Sequence, residues 1–282
     1  MSLSVRRPAR ALVALAAFAL AQAGGLAPSL AQGRGALPPQ ILHVELRPGW
    51  QTETGAHLAA LHLQLAEGWK TYWRIPGDAG IAPRLDWSQS QNAASVRAHW
   101  PRPIVFDQNG YRSIGYEREL VLPLEVTPQR AGRPVALRGE ITIGICSDIC
   151  LPVDLSLAQV LRGGAAPDAM IAAALTMGPE PATGAGLGRV VCTITPGEAG
   201  VEMELRAELP RQAGREMLVF ELPGTDYWIS HADSWREGGD LVGQGRVRAS
   251  GGGAVGIERA LVAFTILTDS RMLTHQGCTA GD

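Results

Sequence analysis

Short apolar runs at every second position, broken by Gly, Pro, Asn and Asp, recur through most of the chain beyond residue 40. Ile41-Leu42-His43-Val44-Glu45-Leu46, Leu58 to Leu65, Leu120 to Val126 and Val135 to Ile145 carry the pattern in the first half. Val201-Glu202-Met203-Glu204-Leu205, Met217 to Leu222, Tyr227 to Ile229, Leu241 to Val247 and Ala260 to Leu267 carry it in the second. Successive strand residues point to opposite faces, so a period of two predicts half-buried strands in antiparallel sheets packed as sandwiches. No glycine fingerprint joins a strand to a helix, which argues against a doubly wound sheet. Asp168 to Met177, alanine-rich and following Pro167, is the one helical stretch outside the N-terminus. Pro179 to Gly188, with two prolines and three glycines, reads as a linker. The expectation is an all-β chain of two sandwich domains, residues 41–163 and 189–282, joined by a helix and linker over 164–188.

The first 31 residues stand outside that pattern. Arg6, Arg7 and Arg10 precede an apolar stretch from Ala11 to Ala21, and Ala21-Gln22-Ala23 and Ser29-Leu30-Ala31 both offer small residues for cleavage. This is a secretory signal peptide. The run is short for a membrane anchor, which needs about 20 apolar residues, and Val5 and Pro8 flank the arginine pair poorly for a twin-arginine signal. Cleavage after Ala31 removes three arginines and no acid, leaving 22 basic against 27 acidic residues and a net charge of −5. No later apolar run is long enough to span a membrane, and the signal points to the periplasm. The mildly acidic balance leaves no basic footprint for nucleic acid. Of 25 basic residues only Lys70 is a lysine, which reads as coding bias.

Four cysteines in an exported chain suggest two disulfides. Proximity pairs Cys146 with Cys150 and Cys192 with Cys278, one bridge per half. The chain-entropy argument gives about 2 kcal/mol for a ring of five residues and about 4.6 kcal/mol for the long loop. The long bridge is therefore the structural one. On a straight strand, residues four apart are separated by about 13 Å, whereas bridged Cα atoms lie about 4.4–6.8 Å apart. A Cys146–Cys150 bond thus requires Ser147-Asp148-Ile149 to turn. A small ring at a loop tip is open to thiol–disulfide exchange. The same spacing also permits a purely structural bridge or two free thiols. No Lys, Arg or His is adjacent in sequence to either cysteine, and Asp148 between them opposes a thiolate by like charge or accepts a proton from an attacking thiol.

Three segments resemble a known family. They are Gly68-Trp69-Lys70-Thr71-Tyr72-Trp73-Arg74-Ile75-Pro76-Gly77-Asp78-Ala79-Gly80, Gly115-Tyr116-Glu117-Arg118-Glu119-Leu120-Val121-Leu122-Pro123-Leu124, and the stretch around Cys146 to Pro152. Together they resemble the N-terminal periplasmic domain of DsbD, above all the variant found in ScsB-type proteins, from about Ile41 to Leu161. The second half looks like the companion sandwich of those variants. The resemblance implies two immunoglobulin-like antiparallel β-sandwich domains, the first carrying one redox pair and no cofactor. It implies that Cys146 and Cys150 are that pair, with Cys150 forming the mixed disulfide with partners. It places a shielding cap loop within Phe106 to Tyr111, with Phe106 and Tyr111 as candidate aromatics. Tyr72 and Tyr116 match family aromatics near the pair, although core packing is their simpler role. Electrons would come from a membrane-embedded thiol reductase, DsbD- or CcdA-like and separate from this chain, and would pass to periplasmic thioredoxin-like proteins.

Two other readings remain. The chain is an adaptor whose cysteines only staple it, or a copper-tolerance accessory protein. The six histidines (43, 57, 62, 99, 231 and 275) show no metal spacing, His57 and His62 should face opposite ways on a strand, and no metal is expected. No Gly-x-Ser-x-Gly supports serine hydrolysis.

Overall fold

The computed structural model describes residues 37–108, 110–197, 200–230 and 233–281. The signal segment 1–31 and His231 lie outside them. The first half contains ten strands: β1 (Ile41–Gln51), β2 (His57–Leu65), β3 (Lys70–Gly77), β4 (Arg84–Asp86), β5 (Ala93–Ala98), β6 (Ile104–Gln108), β7 (Tyr111–Glu117), β8 (Glu119–Pro128), β9 (Val135–Cys146) and β10 (Cys150–Leu161). Helix α1 (Ala169–Thr176) follows. The second half contains β11 (Glu180–Pro181), β12 (Val190–Gly197), β13 (Gly200–Glu208), β14 (Glu216–Glu221), β15 (Tyr227–Ile229), β16 (Asp233–Glu237), β17 (Asp240–Ala249), β18 (Ala263–Thr268), β19 (Met272–Gln276) and β20 (Thr279–Ala280).

The fold is all-β, built of sandwich-like pairs of sheets, with one α-helix among the described residues. In the first sandwich a sheet of order β1-β2-β8-β5 faces one of order β10-β9-β3-β7-β6, with β4 added on β9. All these pairings are antiparallel. The second sandwich opposes β11-β19-β18-β14 to β15-β17-β13-β12-β20, with β16 on β17. Alternation produces the layers directly. On β13, Met203, Leu205 and Ala207 are buried while the alternating Glu202, Glu204 and Arg206 face outward.

Where the alternation fails, the strand is covered on both sides. Met217-Leu218-Val219-Phe220 on β14 is buried throughout. Leu218 and Phe220 enter the second core, whereas Met217 and Val219, with Leu267 and Met272, join the first. The sheet β14-β18-β19 therefore contributes to both cores. Arg74 on β3 adds a two-pronged ion pair to Glu221, with Nε 3.0 Å from Oε2 and Nη2 2.6 Å from Oε1.

The stretch read as a linker is built into the second sandwich. Glu180 and Pro181 pair in parallel with Leu273 and Thr274, and Ala182 and Leu187 are buried in the second core. Asp168 caps α1 by accepting hydrogen bonds from Met170 N (2.9 Å) and Ile171 N (3.2 Å). The helix lies against β8 and β2, with Ile171 fully buried.

Candidate functional site

Strands β9 and β10 form a long hairpin whose last paired residues are Cys146 and Cys150. Their Cα atoms are 4.2 Å apart and their sulfurs are bonded. That separation is near the ~4.5 Å of directly opposed, non-hydrogen-bonded cross-strand residues. Ser147-Asp148-Ile149 makes the turn, with Ser147 N donating to Ile149 O at 3.4 Å. Strand geometry makes the two sulfurs unequal. Cys146 ends a strand held on its other edge by β3 and is fully buried, whereas Cys150 and Asp148 are exposed. Ile149 is 69% exposed at the tip, beside the half-exposed Leu151.

Strand β3 supplies the floor of the site. Its register sets Lys70 opposite Cys146 and Thr71 opposite Ile145. Lys70 and Tyr72 share one face of β3, and that face is the one carrying Cys146. The Tyr72 hydroxyl lies 3.3 Å from Cys150 Sγ. Burial pushes the Tyr72 phenol above its usual range, so it stays a hydrogen-bond donor well past neutral pH. Its ring is 2% exposed and packs over Gly144, where an added Cβ would sit 3.0 Å from the ring and 2.6 Å from Ile81 Cβ. The Thr71 hydroxyl donates to Gly144 O at 2.9 Å and ties β3 to the cysteine hairpin.

Lys70 also reaches the predicted cap. Its ammonium lies 4.7 Å from the centre of the Phe106 ring, on the first strand of the β6–β7 hairpin. Burial lowers the Lys70 pKa, partly offset by Glu117. Tyr111, 62% exposed, closes the same hairpin opposite Gln108. Tyr116 goes elsewhere. The β3–β7 register sets Tyr72 against Gly115 and Tyr116 against Thr71, so Tyr116 points into the core. It stacks on Trp100 and donates its hydroxyl to Pro101 O at 2.7 Å. The structure thus brings Tyr72 to the sulfurs and places Phe106 and Tyr111 on the neighbouring hairpin, but leaves Tyr116 on the opposite face.

Two contributors were invisible to local sequence reasoning. Lys70, dismissed as coding bias, is the cation set in register with Cys146. Gly144 is the gap that admits the Tyr72 ring. Both lie inside segments singled out for other reasons, and only the pairing of distant strands shows their use.

Cys192 on β12 is bonded to Cys278, with Cα atoms 5.7 Å apart. Cys192 is fully buried, and the parallel β12–β20 pairing fastens the C-terminal tail just beyond Cys278.

Residues 40–161 match the family described as "Thiol:disulfide interchange protein DsbD, N-terminal". Over this segment the chain is similar to DsbD N-terminal domains. The DsbD match ends at Leu161, the last residue of β10, so it encloses the first sandwich and the cysteine hairpin. The crystal structure of the N-terminal periplasmic domain of ScsB from Proteus mirabilis superposes with a TM-score of 0.61. It is 24% identical in sequence, over 83% of this chain and 92% of that one, so the shared fold extends past the DsbD segment. A comparison with curated protein sequences gives no match. Among the described residues no helix is long and apolar enough to cross a membrane.

Proposed function

We propose that the protein is a periplasmic thiol–disulfide carrier working through Cys146 and Cys150. The observation that carries this reading is the asymmetry of the hairpin tip. One sulfur is buried on a strand whose register sets it opposite Lys70, and the other is exposed, 3.3 Å from a phenol.

In the loading step a thiolate of a membrane-embedded, CcdA-like reductase attacks Cys150 Sγ. The Cys146–Cys150 bond breaks, a mixed disulfide forms at Cys150, and Cys146 leaves as a thiolate beside Lys70. The second thiol of the donor then attacks its own sulfur in the mixed disulfide and releases Cys150. Two electrons and two protons have entered the pair. Unloading runs the other way. The Cys150 thiolate attacks the disulfide of an oxidised thioredoxin-like protein, and Cys146 resolves the mixed disulfide. The Tyr72 hydroxyl stabilises charge on Cys150, Asp148 takes up a proton at the rim, and Phe106 and Tyr111 limit access. The Cys192–Cys278 bridge stays closed throughout.

Cys146→Ser should accumulate a mixed disulfide through Cys150, because the resolving thiol is gone. Cys150→Ser should accumulate far less. If neither variant captures a thioredoxin-like partner from periplasmic extract, the carrier reading fails. The reduction potential of Cys146–Cys150 should lie above about −300 mV and that of Cys192–Cys278 below it.

A further inference from the structure

The outer face of the β1–β2 ladder holds a second constellation, away from the sulfurs. A register shift between Ile41 and His43 sets His43 opposite Gln64 and Glu45 opposite His62. Residues two apart share a face, so His43, Glu45 and His62 converge. Their ligand atoms all lie within 4.8 Å of one another. Glu45 Oε1 is 3.5 Å from His43 Nε2 and 3.6 Å from His62 Nδ1. The two imidazole rings meet edge to face with centres 5.3 Å apart.

His62 is the informative member. Its side chain is only 5% exposed, and its Nε2 lies 2.9 Å from Glu119 Oε1. The Gln64 side-chain amide donates to the same oxygen at 3.1 Å. The carboxylate accepts from Nε2–H, which leaves the lone pair on Nδ1. That Nδ1 is buried and has no hydrogen-bond partner. It faces the Glu45 carboxylate, so two acceptors point at each other. Such an arrangement is unfavourable unless a positive centre lies between them.

The surrounding charges favour that centre. Glu45 and Glu119 are anionic, and the Arg47 guanidinium that reaches Glu45 at 2.7 Å is also held by Asp168 at 2.7 Å. Before any imidazole is protonated, three carboxylates face one guanidinium. The spacing fits a metal as well. Tetrahedral ligands at about 2.1 Å from zinc are about 3.4 Å apart, close to the two Glu45–histidine distances. Only His43, 44% exposed at the edge of the sheet, has to swing in. A histidine that binds through one nitrogen and gives its other N–H to a carboxylate is the usual outer support of such sites.

We propose that His43, Glu45 and His62 form a binding site for one divalent ion of the zinc class, with His62 held in its binding tautomer by Glu119. Two imidazoles and one carboxylate select borderline transition ions over Mg²⁺ and Ca²⁺, which need oxygen shells. Water completes the coordination on the exposed side. The sequence showed no metal spacing because its ligands come from two strands joined by a bulged register.

The test is calorimetric titration of the untagged, fully oxidised protein with ZnCl₂. One ion should bind per chain, and equal concentrations of CaCl₂ should give no heat of binding. His43→Ala alters only an exposed side chain and should weaken Zn²⁺ binding at least tenfold, as should Glu45→Gln and His62→Ala. Glu119→Gln, which touches no metal, should weaken it by about 10–100-fold. The double variant Cys146→Ser/Cys150→Ser should bind Zn²⁺ unchanged, which separates this site from the carrier reading. The absence of binding at millimolar Zn²⁺ overturns the proposal, because the positive centre is then a proton on His62. Undiminished binding by a folded His43→Ala variant overturns it equally.

Discussion

Replacing Tyr72 with phenylalanine removes one hydroxyl and leaves the ring packed over Gly144. The lost contact is the 3.3 Å approach to Cys150 Sγ. In the oxidised protein that sulfur is a weak acceptor, so little is lost. In the reduced protein a thiolate at Cys150 would accept a charge-assisted hydrogen bond of about 1.5–3 kcal/mol. Sulfur is a diffuse acceptor and Cys150 is exposed, so the lower end applies. About 1.5 kcal/mol corresponds to a rise of roughly one unit in the Cys150 pKa. It also corresponds to a fall of about 30 mV in the reduction potential, since 30 mV is about 1.4 kcal/mol for two electrons. The sign follows from which state is stabilised. The phenol favours the reduced form, so removing it makes the pair harder to reduce. The effect needs the thiolate, so it should vanish below the Cys150 pKa and open as pH rises through it. Burial keeps Tyr72 protonated across that window. Thiolate absorbance during a pH titration, together with equilibration against a glutathione buffer at several pH values, measures both quantities. An unchanged Cys150 titration, or a potential that rises, refutes the role given to Tyr72.

Two further perturbations probe the scaffold. Gly144→Ala places a Cβ 2.6 Å from Ile81 Cβ and 3.0 Å from the Tyr72 ring, so urea unfolding should show a loss of about 1–3 kcal/mol from overpacking. Asp168→Ala removes the α1 cap and should cost about 1 kcal/mol at pH 7. Burial opposes the Asp168 charge, but Arg47 and the Ile171 and Met170 amides outweigh it and hold the carboxyl below its usual range. A group depressed in the folded state stabilises above its unfolded pKa, near 4. That contribution disappears as pH falls through the lower folded value. Wild type and Asp168→Ala should therefore differ in urea midpoint at pH 7 and converge near pH 2.

What the sequence revealed and what it hid divide along one line. The strands of half-buried sheets were visible because alternation is local, as on β13, and the cysteine turn was visible because a five-residue ring cannot close on a straight strand. Strand β3 was not. Tyr72 and Trp73 are both buried, one on each face, so Lys70–Gly77 shows no alternation. Everything that depends on register between distant strands was hidden as well. Lys70 beside Cys146, the opposite fates of Tyr72 and Tyr116, and the meeting of His43 and Glu45 with His62 each follow from which residue faces which across a ladder. A slip of one residue would reverse every one of those assignments, and a single sequence does not state the register.

The second sandwich bears on the sulfur site through that same strand. Tyr72 touches Cys150, and two residues further along β3 Arg74 is gripped by Glu221 of β14. Arg74 also lies over the Trp73 ring, 4.0 Å from its centre, while Met217 and Val219 on the same β14 pack into the first core. A strand held at Tyr72 and again at Arg74 has little freedom to carry Tyr72 away from the hairpin tip. In the proposed exchange, charge would move on and off a sulfur at that tip, and a donor held in place needs no reorganisation when the charge appears. The continuous apolar run of β14, which departs from alternation because both its faces are buried, is the sequence feature through which the second half supports the geometry of the first.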